Sequence, residues 1–197
     1  MANTSKIAGL SPVQYLNGAA YNGQARMYYI VSTDGNAYAI GDPVDLSGNG
    51  DANGVPGVVL ATAGATNPIV GAIVGVAENE SGVGNITTPN SIIIPATKTR
   101  NYYVMVADDP NIIFQTQETG ATALTSAAIG LNIDLKSGTN NGYVSGWTID
   151  ADTEATGATL QMKLFGLVRK QNNAFGTYCQ WLVLINLHRY KIGQTGI

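Results

Sequence analysis

No apolar run in this chain extends beyond a few residues before a glycine or a polar residue interrupts it. That punctuation excludes long helices and favours many short strands joined by turns. Arg26-Met27-Tyr28-Tyr29-Ile30-Val31 is rich in β-formers and runs into Asp34-Gly35, a hairpin dipeptide. Asn36 to Ile40 follows, closed by Gly41-Asp42-Pro43, and then Val58-Val59-Leu60 and Ile69 to Val76. Ser91 to Ile94, Tyr102 to Val106 and Ile112 to Thr116 complete this half, with Asp108-Asp109-Pro110 as a turn.

Period-two alternation is clearest in the C-terminal half. Leu131-Asn132-Ile133-Asp134-Leu135 alternates strictly, which predicts Leu131, Ile133 and Leu135 on one face and the polar pair on the other. Tyr143, Trp147 and Ile149 share a parity, as do Met162, Leu164 and Val168, and again Trp181, Val183, Ile185 and Leu187. One segment, Thr122 to Ile129 with Gly130 as a C-cap, suggests one or two helical turns. The expected fold is all-β: a β-sandwich, jelly roll or small β-barrel body over residues 26–197. Residues 1–25 are expected to form an extended N-terminal arm.

In that arm, Ile7, Leu10, Val13, Tyr15 and Leu16 are isolated apolar residues without a sustained period, followed by the turn dipeptides Asn17-Gly18 and Asn22-Gly23. A segment of this kind cannot bury itself, so it is either disordered or laid across a neighbour; the apolar spacing favours docking, with these five residues as the expected contacts to a partner. Deleting 1–25 is expected to leave the body folded and to weaken its attachment.

Composition narrows the function. At 197 residues the chain buries about 70% of its extended surface on folding, so a covalent staple is not needed. The single cysteine, Cys179, sits in an apolar run and reads as an inert buried thiol. Charged residues make up 12% of the chain and the net charge is −3. There is no basic footprint for nucleic acid. A sparsely charged surface suits contact with other proteins, since few charges need desolvating. The N-terminus has neither a basic n-region nor an apolar h-region, and no stretch approaches the ~20 apolar residues of a spanning helix. Asn3, Asn79 and Asn85 head Asn-x-Ser/Thr sequons and read as chance in an Asn- and Thr-rich chain.

No residue set points to catalysis or to a bound cofactor. The sole histidine, His188, lacks a nucleophile beside it, and one histidine with one cysteine cannot make the usual zinc sites. Asp108 and Asp109 are adjacent and suit a turn; Asp150, Asp152 and Glu154 have same-face spacing but run into a polar loop. The strongest local signal lies between Asp42 and Gly54. There Asp45, Asn49, Asp51 and Asn53 supply fragments of a calcium-loop pattern, but Leu60 or Pro56 falls where the bidentate glutamate belongs. A loop of Asx turns is the competing reading. An aromatic sugar platform using Trp147 and Tyr103 is a further alternative.

The run Tyr38-Ala39-Ile40-Gly41-Asp42-Pro43-Val44-Asp45-Leu46, with Gly57-Val58-Val59-Leu60 and Ile73-Val74-Gly75-Val76, resembles the barrel segment of tailed-bacteriophage head decoration (cement) proteins. Tyr103 to Pro110 and Trp181 to Asn186 are also similar to phage virion structural proteins. The resemblance implies a non-enzymatic protein assembled in the host cytoplasm onto the outer surface of the phage head. Its implied partners are the major capsid protein and neighbouring copies of itself, with no nucleic acid and no membrane. A head-fibre base, neck or tail component, or a carbohydrate-binding β-sandwich, are the alternatives.

Overall fold

A computed structural model of the chain describes residues 3–78 and 92–191. Asn79, Asn85 and Ser91 lie outside the described residues. The strands are β1 (Ser11–Tyr15), β2 (Arg26–Ile30), β3 (Tyr38–Ala39), β4 (Pro43–Gly50), β5 (Pro56–Leu60), β6 (Gly71–Glu78), β7 (Ile93–Ile94), β8 (Tyr102–Ala107), β9 (Ile112–Thr119), β10 (Asn132–Ile133), β11 (Leu135–Lys136), β12 (Thr148–Asp150), β13 (Met162–Leu167) and β14 (Gln180–Ile185). The chain is all-β, as its punctuation predicts.

Five strands close into a barrel in the order β2-β5-β4-β6-β8. Tyr28, Ile30, Val44, Val58, Ile73, Val76, Val104 and Val106 fill it. Ile73 and Val76 both face this interior although strict alternation would set them on opposite faces. A register shift between Ile73 and Gly75 resets the parity and turns Val74 toward the second core. The closing seam is narrow, a single parallel pairing of Tyr29 with Gly57.

The second sheet runs β10-β13-β14-β9-β12-β11, with β1 also paired to β9. Its two end strands are separated in the chain by Asp134 alone. The stretch Asn132 to Lys136 therefore pairs with β13 on one side and β12 on the other, and the sheet returns on itself. Phe114, Trp147, Ile149, Met162, Leu164, Trp181, Val183 and Ile185 form its core. β14 shows the expected alternation along its length, with Trp181, Val183 and Ile185 buried and Leu182 and Leu184 half-buried.

Four expectations are corrected. Asn132 and Asp134 are buried, because the loop between β12 and β13 covers their face; Asn132 Nδ2 donates to Gly157 O at 3.0 Å and Gln161 N–H donates to Asp134 Oδ1 at 3.1 Å. Asp34-Gly35 does not close a hairpin, since β2 pairs with β8 and β5 while β3 pairs with β7. The helix shrinks to a 3-10 turn at Ser126–Ala128, capped by Thr125, and Gly130 follows at φ +88°. Tyr143 precedes β12 on an exposed turn, away from Trp147 and Ile149, which are buried.

The N-terminal segment lies along the chain's own body. Asn3 is tied to the β13–β14 loop, donating to Ala174 O at 2.7 Å and accepting from Ala174 N–H at 3.1 Å. At Gly9 (φ +67°) the chain crosses Gly41 so closely that a Cβ on Gly9 would sit 2.2 Å from Gly41 O. Leu10 N–H then donates to that carbonyl at 2.9 Å, and the Leu10 side chain enters the second core at 1% exposure. The expectation that this segment cannot bury itself therefore fails at Leu10. β1 follows, paired antiparallel with the first half of β9, and its outer edge is met by Tyr21 N–H donating to Val13 O.

Candidate functional site

Of the carboxylates and the histidine singled out by sequence, Asp108 and Asp109 lie within electrostatic reach of His188, whereas Asp150, Asp152 and Glu154 lie at and beyond the end of β12; all but the exposed Glu154 are bonded within the fold. Asp109 accepts from Asn111 N–H at 2.7 Å, the turn expected before Pro110. Asp108 is buried and accepts from Tyr28 OH at 2.6 Å, with Arg26 at 3.6 Å. Asp152 accepts from Ala121 and Thr122 N–H, and these donors hold its carboxyl below the usual range. Asp150 pairs with Lys136 at 3.1 Å, and Glu154 is exposed. His188 is fully buried beyond the end of β14, its Nδ1 accepting from Tyr190 N–H at 3.0 Å. Burial, with Lys191 second, pushes it down to about 4.

The calcium-loop residues diverge. Asp45 lies in β4 and is held by Arg189, whose Nε and Nη2 donate to its two carboxylate oxygens at 2.7 and 2.6 Å. That bidentate pair joins β4 to the segment following β14 and so bridges the two closed sheets. Asp51 instead accepts from Asn53 and Val55 N–H and from Tyr103 OH at 2.6 Å, so it closes the β4–β5 turn. Asn49 donates its N–H to Ser47 Oγ. Among the described residues no group of three His, Cys, Asp or Glu could hold a metal ion. Excess calcium is expected to leave the melting temperature unchanged, because a ligand stabilises only through preferential binding to the folded state. A calcium-dependent rise of several degrees, reversed by chelation, would restore the metal reading.

Sequence patterning missed Glu118, which is 1% exposed on the core-facing side of β9. Trp181 Nε1–H donates to Oε2 at 2.8 Å, Cys179 Sγ–H donates to the same oxygen at 3.4 Å, and Leu124 N–H donates to Oε1 at 3.4 Å. Burial raises the Glu118 carboxyl above its ordinary value despite these donors. Burial, then the adjacent carboxylate, pushes Cys179 up to about 12, so the thiol is held protonated. A glutamate at a strand position of core parity, beside Cys179 and diagonal to Trp181 on the neighbouring strand, is the signal that a pairwise reading would have needed.

Two sequence-predicted aromatics are enclosed. Trp147 is buried, and Tyr103 is buried with its hydroxyl spent on Asp51, so neither offers a flat platform. The exposed apolar side chains gather elsewhere. Ile129, after the 3-10 turn, joins Phe165, Phe175, Leu167 and Leu182 around an open groove of about 590 Å³. Ile129, Phe165 and Phe175 are 48%, 46% and 43% exposed. Phe165 faces outward by plain alternation beside buried Leu164, and the register shift between Leu164 and Gly166 in β13 then turns Leu167 back against the second core. Phe175 leans on the Trp181 ring at 5.6 Å between centroids, which holds it at the surface.

The five arm residues named above do not form one surface. Leu10 is in the core; Ile7, Val13 and Tyr15 are half-buried; Leu16, 49% exposed, borders a shallow recess with Tyr15 and Asn111. Comparison with protein-family models, with curated protein sequences and with solved structures found no match.

Proposed function

We propose that this chain is a non-enzymatic structural protein of a tailed-phage particle, attached to the outside of the head, where it stabilises contacts between major capsid subunits. The observation that carries the reading is the apolar groove of Ile129, Phe165 and Phe175, set on a body whose candidate catalytic side chains are spent on turns, ion pairs and buried hydrogen bonds. Exposed aromatic clusters of this sort mark protein-contact surfaces. Closed sheets leave few open strand edges, which suits a molecule crowded on a lattice beside its own copies. Repetition over a lattice makes modest single contacts firm by avidity.

The test is co-sedimentation of the chain with expanded heads stripped of their own decoration. Saturable binding at a fixed ratio to capsid subunits is expected, and Phe165→Ser with Phe175→Ser should weaken it by at least about tenfold, the scale of a lost hot spot. Absence of binding by the intact chain would shift the assignment to a neck, tail or fibre component.

A further inference from the structure

A second concavity, unlike the apolar groove, opens where the N-terminal segment meets the β13–β14 loop. It measures about 280 Å³, and its lining is polar, with Lys6 and Lys170 as its charged side chains and no aspartate or glutamate. In a chain of net charge −3 with ten basic residues, two of them facing one small recess make a local positive basin.

The recess has a fixed wall and a free rim. In the wall, Asn173 Nδ2 donates to Val168 O at 2.8 Å and to Gln180 O at 3.0 Å while its Oδ1 accepts from Gln180 N–H at 2.8 Å. Gln117 ties the two sides together, donating to Thr4 O at 3.1 Å and to Tyr178 O at 2.6 Å and accepting from Lys6 N–H at 2.9 Å. At the rim, the side chains of Lys6, Gln171, Asn172 and Tyr178 make no hydrogen bond to other described residues, and Lys170 bonds only to Gln180. Two of the three non-glycine residues with positive φ among those described, Asn172 (+61°) and Tyr178 (+65°), belong to this rim. Such a conformation is strained for a bulky tyrosine, and strain of this kind collects at ligand clamps.

We propose that this recess binds a single carboxylate-bearing sugar unit, a uronic or sialic acid residue. Its volume is just below the ~300 Å³ at which small-ligand pockets begin, which suits one ring rather than a chain of rings. The lysines meet the carboxylate as point charges. The amides of Gln171 and Asn172 match ring hydroxyls, and Tyr178, 41% exposed, offers its face to the apolar side of the ring. A phosphate would be better served by an arginine fork or a nest of backbone N–H groups than by this amide-rich lining.

The experiment is an NMR titration of the full chain with glucuronate, N-acetylneuraminate, glucose, acetate and inorganic phosphate, without any heads, so that it is read separately from capsid attachment. At least one acidic sugar is expected to bind at least about tenfold more tightly than glucose, acetate or phosphate, one decade in Kd. The shifts should centre on Lys170, Asn172 and Tyr178. Lys170→Gln or Lys6→Gln, both at exposed positions, should bring the acidic sugar down toward the neutral one without altering the melting temperature. Equal binding of acetate or phosphate (an adventitious ion only), equal binding of glucose, shifts centred elsewhere, or no binding would each overturn the proposal.

Discussion

A chain lacking residues 1–16 is expected to melt at least about 10 °C below the intact protein, given ~2–4 °C per kcal/mol at this size. Three losses add. Removing Leu10 empties a site in the second core, and a buried Leu→Ala change alone costs about 2–5 kcal/mol. Removing β1 strips the hydrogen bonds from Ile112 to Gln115 of β9, leaving a bare edge on the most central strand of that sheet. Removing Asn3 and Lys6 frees the β13–β14 loop and Gln117. Leu10→Ala should reproduce a substantial part of the shift, whereas Leu16→Ser, at an exposed position, should change little. Calorimetry of the three variants decides it. A truncated chain that melts with the intact one would mean that the segment is an appendage, as the spacing of its apolar residues first suggested.

The second large effect is acid sensitivity centred on His188. In the folded chain burial pushes this imidazole down to about 4 from its ordinary 6.5. Between those values the unfolded chain binds a proton that the folded chain refuses, so stability present above pH 6.5 is lost as pH falls toward 4. At 1.36 kcal/mol per unit the loss reaches about 3 kcal/mol. Glu118, Asp42 and Asp134 work in the opposite sense. Burial raises all three in the folded state, so each takes up its proton earlier there and favours folding as pH falls. Those contributions are common to the parent and a His188→Asn variant, and they cancel in the difference between them. The asparagine can still accept from Tyr190 N–H while removing the titrating group. Urea unfolding from pH 7.5 to 4 should therefore show the variant losing less stability than the parent over the acid limb. Parallel pH profiles would show that His188 is protonated in the folded chain without penalty.

The sequence spoke clearly where a signal is local. Asx turns at Asp51 and Asp109 follow from a short carboxylate reaching the backbone two residues on. The alternation of β14 survives because that strand has the core on one face only and no bulge along its pairing with β9. Cys179 is buried, as its apolar neighbours imply. Of the candidate sites, the calcium fragments dissolved because Asp45 and Asp51 belong to a strand and a turn with different partners. The apolar groove was not legible, since its members come from the residue after the 3-10 turn, from β13, from β14 and from the loop between them.

What the sequence determined alone is the class of fold: many short strands joined by turns, and the exclusion of a long helix; it missed β1 and read β4 as loop. Alternation along a strand separates two faces but does not say what covers either one. Asn132, Asp134 and Glu118 are buried because other segments lie over them, and those segments are distant in sequence. Bulges at Val74 and Phe165 reverse the local parity according to which strand is paired opposite. Leu10, isolated among polar neighbours, becomes a core residue because Gly9 and Gly41 let two backbones cross closely enough to deliver it. Strand pairing and coverage are long-range, paid for by the whole fold, and only the tertiary structure decides them.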